Sequence, residues 1–493
     1  MNENIMILFL SNVRPVKNNL KKYPYKYTET NENHNYNFDI KGVQTNEAAV
    51  KTVIQLLHES QKKLSTVYML CTKTVLDEIK GLEEKHKEFF ERRIKEFCED
   101  NKYSCPKFEK IDYDESSKGE KVFNEIINMA NKIDEDYNSS DITVYADMTG
   151  GMRNSSMLML SIMRLLQYKG IKIEKVLYSN WSPDTGETYM EIISNEDKNS
   201  VCKQNDDKQK YNTIDNITDI YKINNLIAGA EEFVKFGSAQ TLTEYFQIFI
   251  NNNPTSPLSL LIDAMNNFSE NLKLCRYGYF KESIDKLKDC INNYRRNALN
   301  DINEKIFYLF LSTIKKEYDL LLKQDRTDLD IISWCIEKGY LQQALTLYVE
   351  KVPDFIYSNL FPSLDDKELK IVEKSCWSNT SLGFYLINKY ILSKNNANYK
   401  PKKNKEKDFL EPDKKAELII NRLNNKIVKL KSDVIKYDSD YLKNILKNYY
   451  TIKDDRNNSN HASNEKNFKT SEHIKNDLIE YINLLNKNNK NYK

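Results

Sequence analysis

Over the first two hundred residues, short apolar runs alternate with amphipathic stretches, the pattern of a parallel sheet covered by helices. Strands are predicted at Ile5 to Leu10, Thr66 to Cys71, Phe108 to Tyr113, Ile142 to Asp147 and Ile173 to Tyr178. Helices are predicted between them at Asn46 to His58, Leu82 to Glu99, Gly119 to Ile133 and Met152 to Tyr168, which gives a Rossmann-like order. A further pair, Lys172 to Asn180 and Thr188 to Ile193 around "SPDTG", predicts a hairpin at the end of the sheet.

The pattern then changes. Asn195 to Asn212 is polar and charged, a linker that buries little, and beyond it nearly every segment has helical periodicity. The predicted helices are Ile223 to Phe236, Leu258 to Cys275, Phe280 to Asn293, Ile302 to Lys323, Leu329 to Val352 broken at Gly339, Ala416 to Tyr437, Tyr441 to Tyr450 and Ser471 to Leu485. The expected organisation is a Rossmann-like α/β domain at 1–200, a helical linker region at 201–300 and an all-α domain at 301–493. A polar stretch at 395–412 is expected as a disordered insertion between helices of that last domain.

Composition adds little to this division and something to its chemistry. A chain of 493 residues needs more than one core. The net charge of +2 points to no particular partner, but residues 401–493 carry 21 basic and 14 acidic side chains, so the tail is the half suited to a polyanion. A merely solvated Lys-rich surface fits the same count. The eight cysteines include no Cys-x-x-Cys pair and no histidine at zinc spacing, as expected of reduced thiols and of a chain without a metal. "MNENIMILFLSN" has no basic lead and no stretch reaches the length of a membrane span, which predicts a cytoplasmic protein with no membrane partner.

Two stretches carry candidate chemistry. The turn Asp147, Met148, Thr149, Gly150, Gly151, Met152, Arg153 follows the fourth predicted strand, at the sheet edge where open parallel sheets gather ligands. The glycines permit close backbone approach, Thr149 offers a hydroxyl and Arg153 a fixed charge. Ser11 and Asn12 after the first strand, and Thr72 and Lys73 after the second, share that edge and suit a nucleotide better than an apolar substrate. The turn is neither a dinucleotide fingerprint nor a P-loop, and a tight strand-to-helix connection with ordinary caps explains each residue singly. Met157, Met159 and Met163 read as core.

The second stretch is "KDDRNNSNHASNE", with Arg456, Asn457 and His461. An imidazole that moves a proton and a guanidinium that stabilises charge on a phosphorane would suffice for metal-free RNA cleavage. The remaining histidines, His34, His58, His86 and His473, read as capping or surface residues.

With these residues in hand, the chain resembles the CARF-HEPN ancillary ribonucleases of type III CRISPR systems, the Csm/Csx-type family. The resemblance covers essentially the whole length and is carried by "IMILFLSN", "DMTGGMR", "WCIEKGYLQQALTLYVEKVP" and "RNNSNH", an Arg-x-x-x-x-His pattern with Asn after Arg. It implies a CARF domain at 1–200 and a HEPN domain at 301–493, in a homodimer whose paired CARF domains bind a cyclic oligoadenylate activator. It further implies metal-independent cleavage of single-stranded RNA to 2′,3′-cyclic phosphate ends, with no cofactor. Carried over, Ser11, Asn12, Thr72, Lys73 and Asp147 to Arg153 would face the activator, and Arg456, Asn457 and His461 the RNA. Many relatives carry Asp-x-Thr-His-Gly at the turn and Gly150 replaces that histidine, which puts the ligand contacts and any cleavage of the messenger in question. Gln342, Gln343 and Glu350 read as scaffold. Two other readings stay open: a non-catalytic sensor with a degenerate Arg/His pair, and a nucleotide-dependent α/β enzyme with a helical accessory domain.

Overall fold

The computed structural model describes residues 3–15, 19–31, 34–114, 120–137, 142–151, 155–182, 185–191, 211–295, 299, 301–359, 364–376, 381–394, 410–431, 438–460 and 469–489. The chain divides into two compact units, Met1–Asn224 and Asn225–Lys493.

The first unit is built on nine strands: β1 (Glu3–Phe9), β2 (Asn19–Asn31), β3 (His34–Gly42), β4 (Leu64–Cys71), β5 (Lys107–Asp112), β6 (Ile142–Asp147), β7 (Lys172–Asn180), β8 (Glu187–Glu191) and β9 (Asn212–Asn216). Their order is β3-β2-β9-β7-β6-β1-β4-β5, with β8 paired to β2. The segment β7-β6-β1-β4-β5 is parallel throughout. The chain therefore winds outward from β1 in one direction through β4 and β5, then returns to the other side of β1 with β6 and β7. All five strands expected of the Rossmann-like core are present.

Helices α1 (Thr45–Glu59), α2 (Lys73–Leu76), α3 (His86–Asn101), α4 (Glu120–Asp136) and α5 (Ser155–Tyr168) accompany this sheet. Alternation along β1 sorts its side chains between two cores. Met6, Leu8 and Leu10 pack in the cluster that holds Val50 and Val53 of α1 and Phe90 of α3. Ile5, Ile7 and Phe9 pack in the one that holds Ile133 of α4 and Met159 and Met163 of α5. Covering both faces is why "IMILF" is an unbroken apolar run.

The expected hairpin between β7 and the segment after it does not form. Strand β7 runs antiparallel to β9, with Leu177 opposite Asn216, while β8 runs antiparallel to β2, with Lys22 opposite Glu187. The reason is the β2–β3 hairpin, which the sequence reading missed: Tyr23, Tyr25 and Tyr27 are buried at alternate positions, as are Tyr36, Phe38 and Ile40. This long antiparallel pair offers β8 an edge.

The division between the units falls inside α6 (Thr218–Phe236). The second unit continues with α7 (Gln240–Asn252), α8 (Pro257–Lys273), α9 (Tyr277–Asn293), α10 (Ile302–Tyr308), α11 (Leu311–Glu317), α12 (Asp319–Leu322), α13 (Asp328–Glu337), α14 (Leu341–Asn359) and α15 (Asp366–Ser375). Next come α16 (Leu382–Tyr385), a π turn (Leu386–Tyr390), α17 (Ile391–Ser393), α18 (Pro412–Asn424), α19 (Ser439–Asn460) and α20 (Ser471–Asn489). The chain is thus an α/β unit followed by an all-helical one, as expected.

Helices α7 to α9 contribute to the same hydrophobic core as α13, α14, α18 and α19, with Trp334 at 0% exposure against Phe268 and Tyr318 at ring-centroid distances of 5.6 and 5.3 Å. Two predicted helices are shorter than their periodicity suggested. Ile302 to Lys323 is broken into α10, α11 and α12. Ala416 to Tyr437 stops at Asn424, where the Asn pair gives way to Lys426 in the left-handed region at φ 55° and Ile427 N–H closes on the Arg422 carbonyl. The polar 192–210 and 395–409 segments lie outside the described residues, whereas Pro412 already opens α18.

Candidate functional site

Strands β1 and β6 are neighbours from which the chain departs in opposite directions, and their carboxyl ends form the switch point of the sheet, where a crevice opens. A cavity of about 240 Å³ lies there. Ser11 and Asn12 after β1, Thr72 after β4, and Thr149, Gly150 and Gly151 after β6 all line it, so three separate loop tips converge as the sequence suggested.

The turn after β6 owes its shape to a buried carboxylate. Asp147 Oδ1 accepts hydrogen bonds from the Thr149 backbone N–H at 2.9 Å and from the Thr149 hydroxyl, and its Oδ2 accepts from Asn46 Nδ2 at 2.6 Å. Burial pushes the carboxyl up to about 6 against the opposing pull of these donors. With its oxygens engaged and only 1% of its surface exposed, Asp147 shapes the turn from beneath. Thr149 Oγ1 in turn accepts from Ser179 N–H at 2.7 Å, which ties the turn to β7. Gly150 is required by contact: a Cβ there would fall 1.7 Å from the Phe9 carbonyl oxygen, so no histidine fits this backbone. Gly151 has φ +88°, and a Cβ on it would fall 2.4 Å from Ser155 Oγ.

The amino terminus of α1 is the part of the site that sequence reasoning missed. Asn46 bridges two loops, since its Oδ1 accepts from Ser11 N–H at 2.7 Å while its amide holds Asp147. Thr45 donates to Ser11 Oγ at 3.1 Å, and Gln44 Nε2 to the Ser11 carbonyl at 2.7 Å. Beneath them Glu47 accepts from Val43 N–H and Gln44 N–H at 3.0 Å each and from Lys51 at 2.7 Å. Burial alone would raise Glu47, but Lys51 and Arg93 outweigh it and hold the carboxyl below its ordinary range. The polar triplet "QTN" at a helix start was the available signal.

His86 also departs from its expected role. It is buried, and Val13 N–H donates to its Nδ1 at 2.9 Å, which requires a neutral ring with the proton on Nε2. Burial lowers its pKa and favours that form. It anchors the loop that carries Ser11, Asn12 and Arg14. Arg14 lines the cavity, as do Tyr23 and Trp181, whose rings meet edge-on at 5.6 Å. Of the other expected residues, Lys73 is exposed at the start of α2 and Met148 packs on the core behind the turn. Met152 and Arg153 lie outside the described residues. Hydroxyls, an amide, open backbone and one guanidinium beside an aromatic rim make a wall suited to phosphate, ribose and base together.

In the second unit, Arg456 and Asn457 lie on the last turns of α19, which runs ten residues beyond its expected end at Tyr450. His461 lies outside the described residues. Arg456 Nη2 pairs with Glu350 of α14 at 3.5 Å, so Glu350 reaches the candidate site while Gln343 bonds the Leu272 carbonyl elsewhere. Among the described residues, no three His, Cys, Asp or Glu side chains gather as a metal site, and no helix is long and apolar enough to cross a membrane.

No protein-family profile matches the sequence, and no curated protein matches it. The chain is similar to a solved Csm6. That structure, Enterococcus italicus Csm6 bound to cyclic hexa-2′-fluoro-hexa-dAMP, aligns over 99% of this chain and 93% of its own at 8% identity and a TM-score of 0.37. A likeness at that distance carries no argument about either site.

Proposed function

We propose that the chain is a homodimeric, cyclic oligoadenylate-activated endoribonuclease of the CARF-HEPN kind, cutting single-stranded RNA without a metal. The observation that carries the reading is the cavity at the β1/β6 switch point, whose convergent hydroxyls, glycine backbone and Arg14 suit a phosphate-rich nucleotide. The Arg456-Asn457 pair on α19, with four residues between Arg456 and His461, supplies the second half of the reading.

In the proposed reaction a ribose 2′-oxygen attacks the adjacent phosphorus, the 5′-oxygen leaves with a proton, and a 2′,3′-cyclic phosphate remains. His461 moves the proton and Arg456 stabilises the charge on the phosphorane. The activator acts by preferring one dimer arrangement, so its effect is a population shift. The test incubates purified protein with labelled RNA in EDTA, with and without cyclic tetra- or hexa-adenylate. Ligand-dependent cutting with cyclic phosphate ends is expected, and His461→Ala is expected to abolish it while keeping ligand binding. Cutting that needs added metal would overturn the mechanism, and ligand binding with intact RNA would make the chain a sensor.

A further inference from the structure

We propose that Lys453 is a second phosphate-gripping residue of the RNA site, acting with Arg456 on one phosphate of the bound strand. The inference deepens, and rests on, the reading of Arg456 as RNA-facing. Lys453 lies one helical turn before Arg456 on α19, so the two side chains share a face.

The environment of Lys453 is unusual for a lysine. It is half-buried, yet among the described residues no carboxylate lies within ion-pairing distance of its ammonium. Its partners are neutral: the Asn388 side-chain oxygen and the Phe384 ring, 5.3 Å away. Asn388 cannot turn its amide round to do otherwise. Its two N–H donors are committed to the Phe384 carbonyl at 3.0 Å and the Tyr449 hydroxyl at 2.7 Å, and Tyr449 donates onward to the Val349 carbonyl at 3.3 Å. The Asn388 oxygen is thereby aimed at Lys453 and leaves the ammonium two further donors.

The charges that face this position from neighbouring elements are Lys415 of α18, Glu350 of α14, and Asp454 and Arg456 of α19 itself. The carboxylates are taken up elsewhere, Asp454 by Lys415 at 3.9 Å and Glu350 by Arg456 at 3.5 Å. Arg456 also keeps a buried Nε with no hydrogen-bond partner among the described residues. Burial, with the fields of Lys415 and Arg456 added, pushes the Lys453 ammonium down to about 8. An uncompensated cation costs free energy in the free protein, and a phosphate bound between Lys453 and the accessible end of Arg456 would compensate it. The π turn that supplies Asn388 is the kind of helix irregularity often found at functional sites.

The test measures binding of a 2′-O-methyl single-stranded RNA, which cannot be cut through its 2′-oxygen, to the full chain across a salt series. Lys453→Met is expected to weaken binding about tenfold at low salt, the worth of a hydrogen bond to a charged group, and to make the log–log salt slope shallower by about 0.7, the share of one phosphate contact on a single strand. Lys453→Arg is expected to restore both. An unchanged slope and affinity in Lys453→Met, with a melting temperature like the parent's, overturns the proposal. If that variant does not fold, loss of RNA affinity by the unmodified chain as pH rises through about 8 supports the proposal, and Lys453→Arg should abolish that loss. An affinity flat over the same range overturns it. A parent chain that binds this RNA with the expected Lys453 dependence but never cuts ordinary RNA sinks the ribonuclease reading and leaves the phosphate grip standing.

Discussion

The cavity of the first unit and the α19 face of the second are both polar sites, built on opposite principles. The cavity is shaped by neutral groups and backbone: Asn46, Thr149 and two glycines fix the loop tips after β1 and β6, and its buried charges, Asp147 and Glu47, lie beneath the surface with their partners supplied. The α19 face is shaped by side-chain charges, of which the Arg456–Glu350 pair is partly exposed and Lys453 has no carboxylate within ion-pairing distance among the described residues. A site made of backbone is rigid before its ligand arrives, at the cost of tolerating almost no change. One made of long cationic side chains tolerates substitution and answers to salt and pH.

This contrast can be broken from either end. The largest effect is expected from Gly150→Ala, because its Cβ would meet a backbone carbonyl that cannot swing aside. A loss of about 3 kcal/mol or more is expected in the unfolding of the first unit, followed by urea titration, together with loss of nucleotide binding. Asn46→Ala should follow at roughly 2 kcal/mol, since it strands a buried Asp147 oxygen and the Ser11 N–H together. Glu350→Gln is expected to change stability by less than about 0.5 kcal/mol, as for other partly exposed ion pairs. It should nonetheless change the salt dependence of RNA binding, because it frees Arg456. If Glu350→Gln destabilised the fold as much as Asn46→Ala, the distinction between the two sites would collapse.

Much of the first unit was legible in the sequence because its parallel strands are buried on both faces and spell apolar runs. The β2–β3 hairpin was harder to see. Its buried face is tyrosine-rich, "KKYPYKYTETN", and hydroxylated rings alternating with lysines score as polar even when they are inside. The hairpin assigned to β7 and β8 failed for the same cause, since pairing depends on an edge that the missed strands provide. At the cavity, loop residues after strands were readable from position alone, whereas Asn46 works across a separation of 101 residues to Asp147 that no local pattern encodes. His86 reads from the sequence as a capping or surface residue because its partner Val13 lies 73 residues away. In the second unit, periodicity located helices but not their ends, so α19 carried Arg456 within a helix where a loop was expected.

The wide turn at Leu386–Tyr390 has one more effect. Bonding to the fifth residue in place of the fourth loosens the carbonyl ladder, and neighbouring helices reach in. The Tyr450 hydroxyl of α19 donates to the Ile387 oxygen at 3.0 Å, and the Arg422 guanidinium of α18 donates to the Ile391 oxygen just beyond. A local irregularity thus becomes a clasp, sewing three segments distant in sequence with main-chain oxygens as the receiving ends.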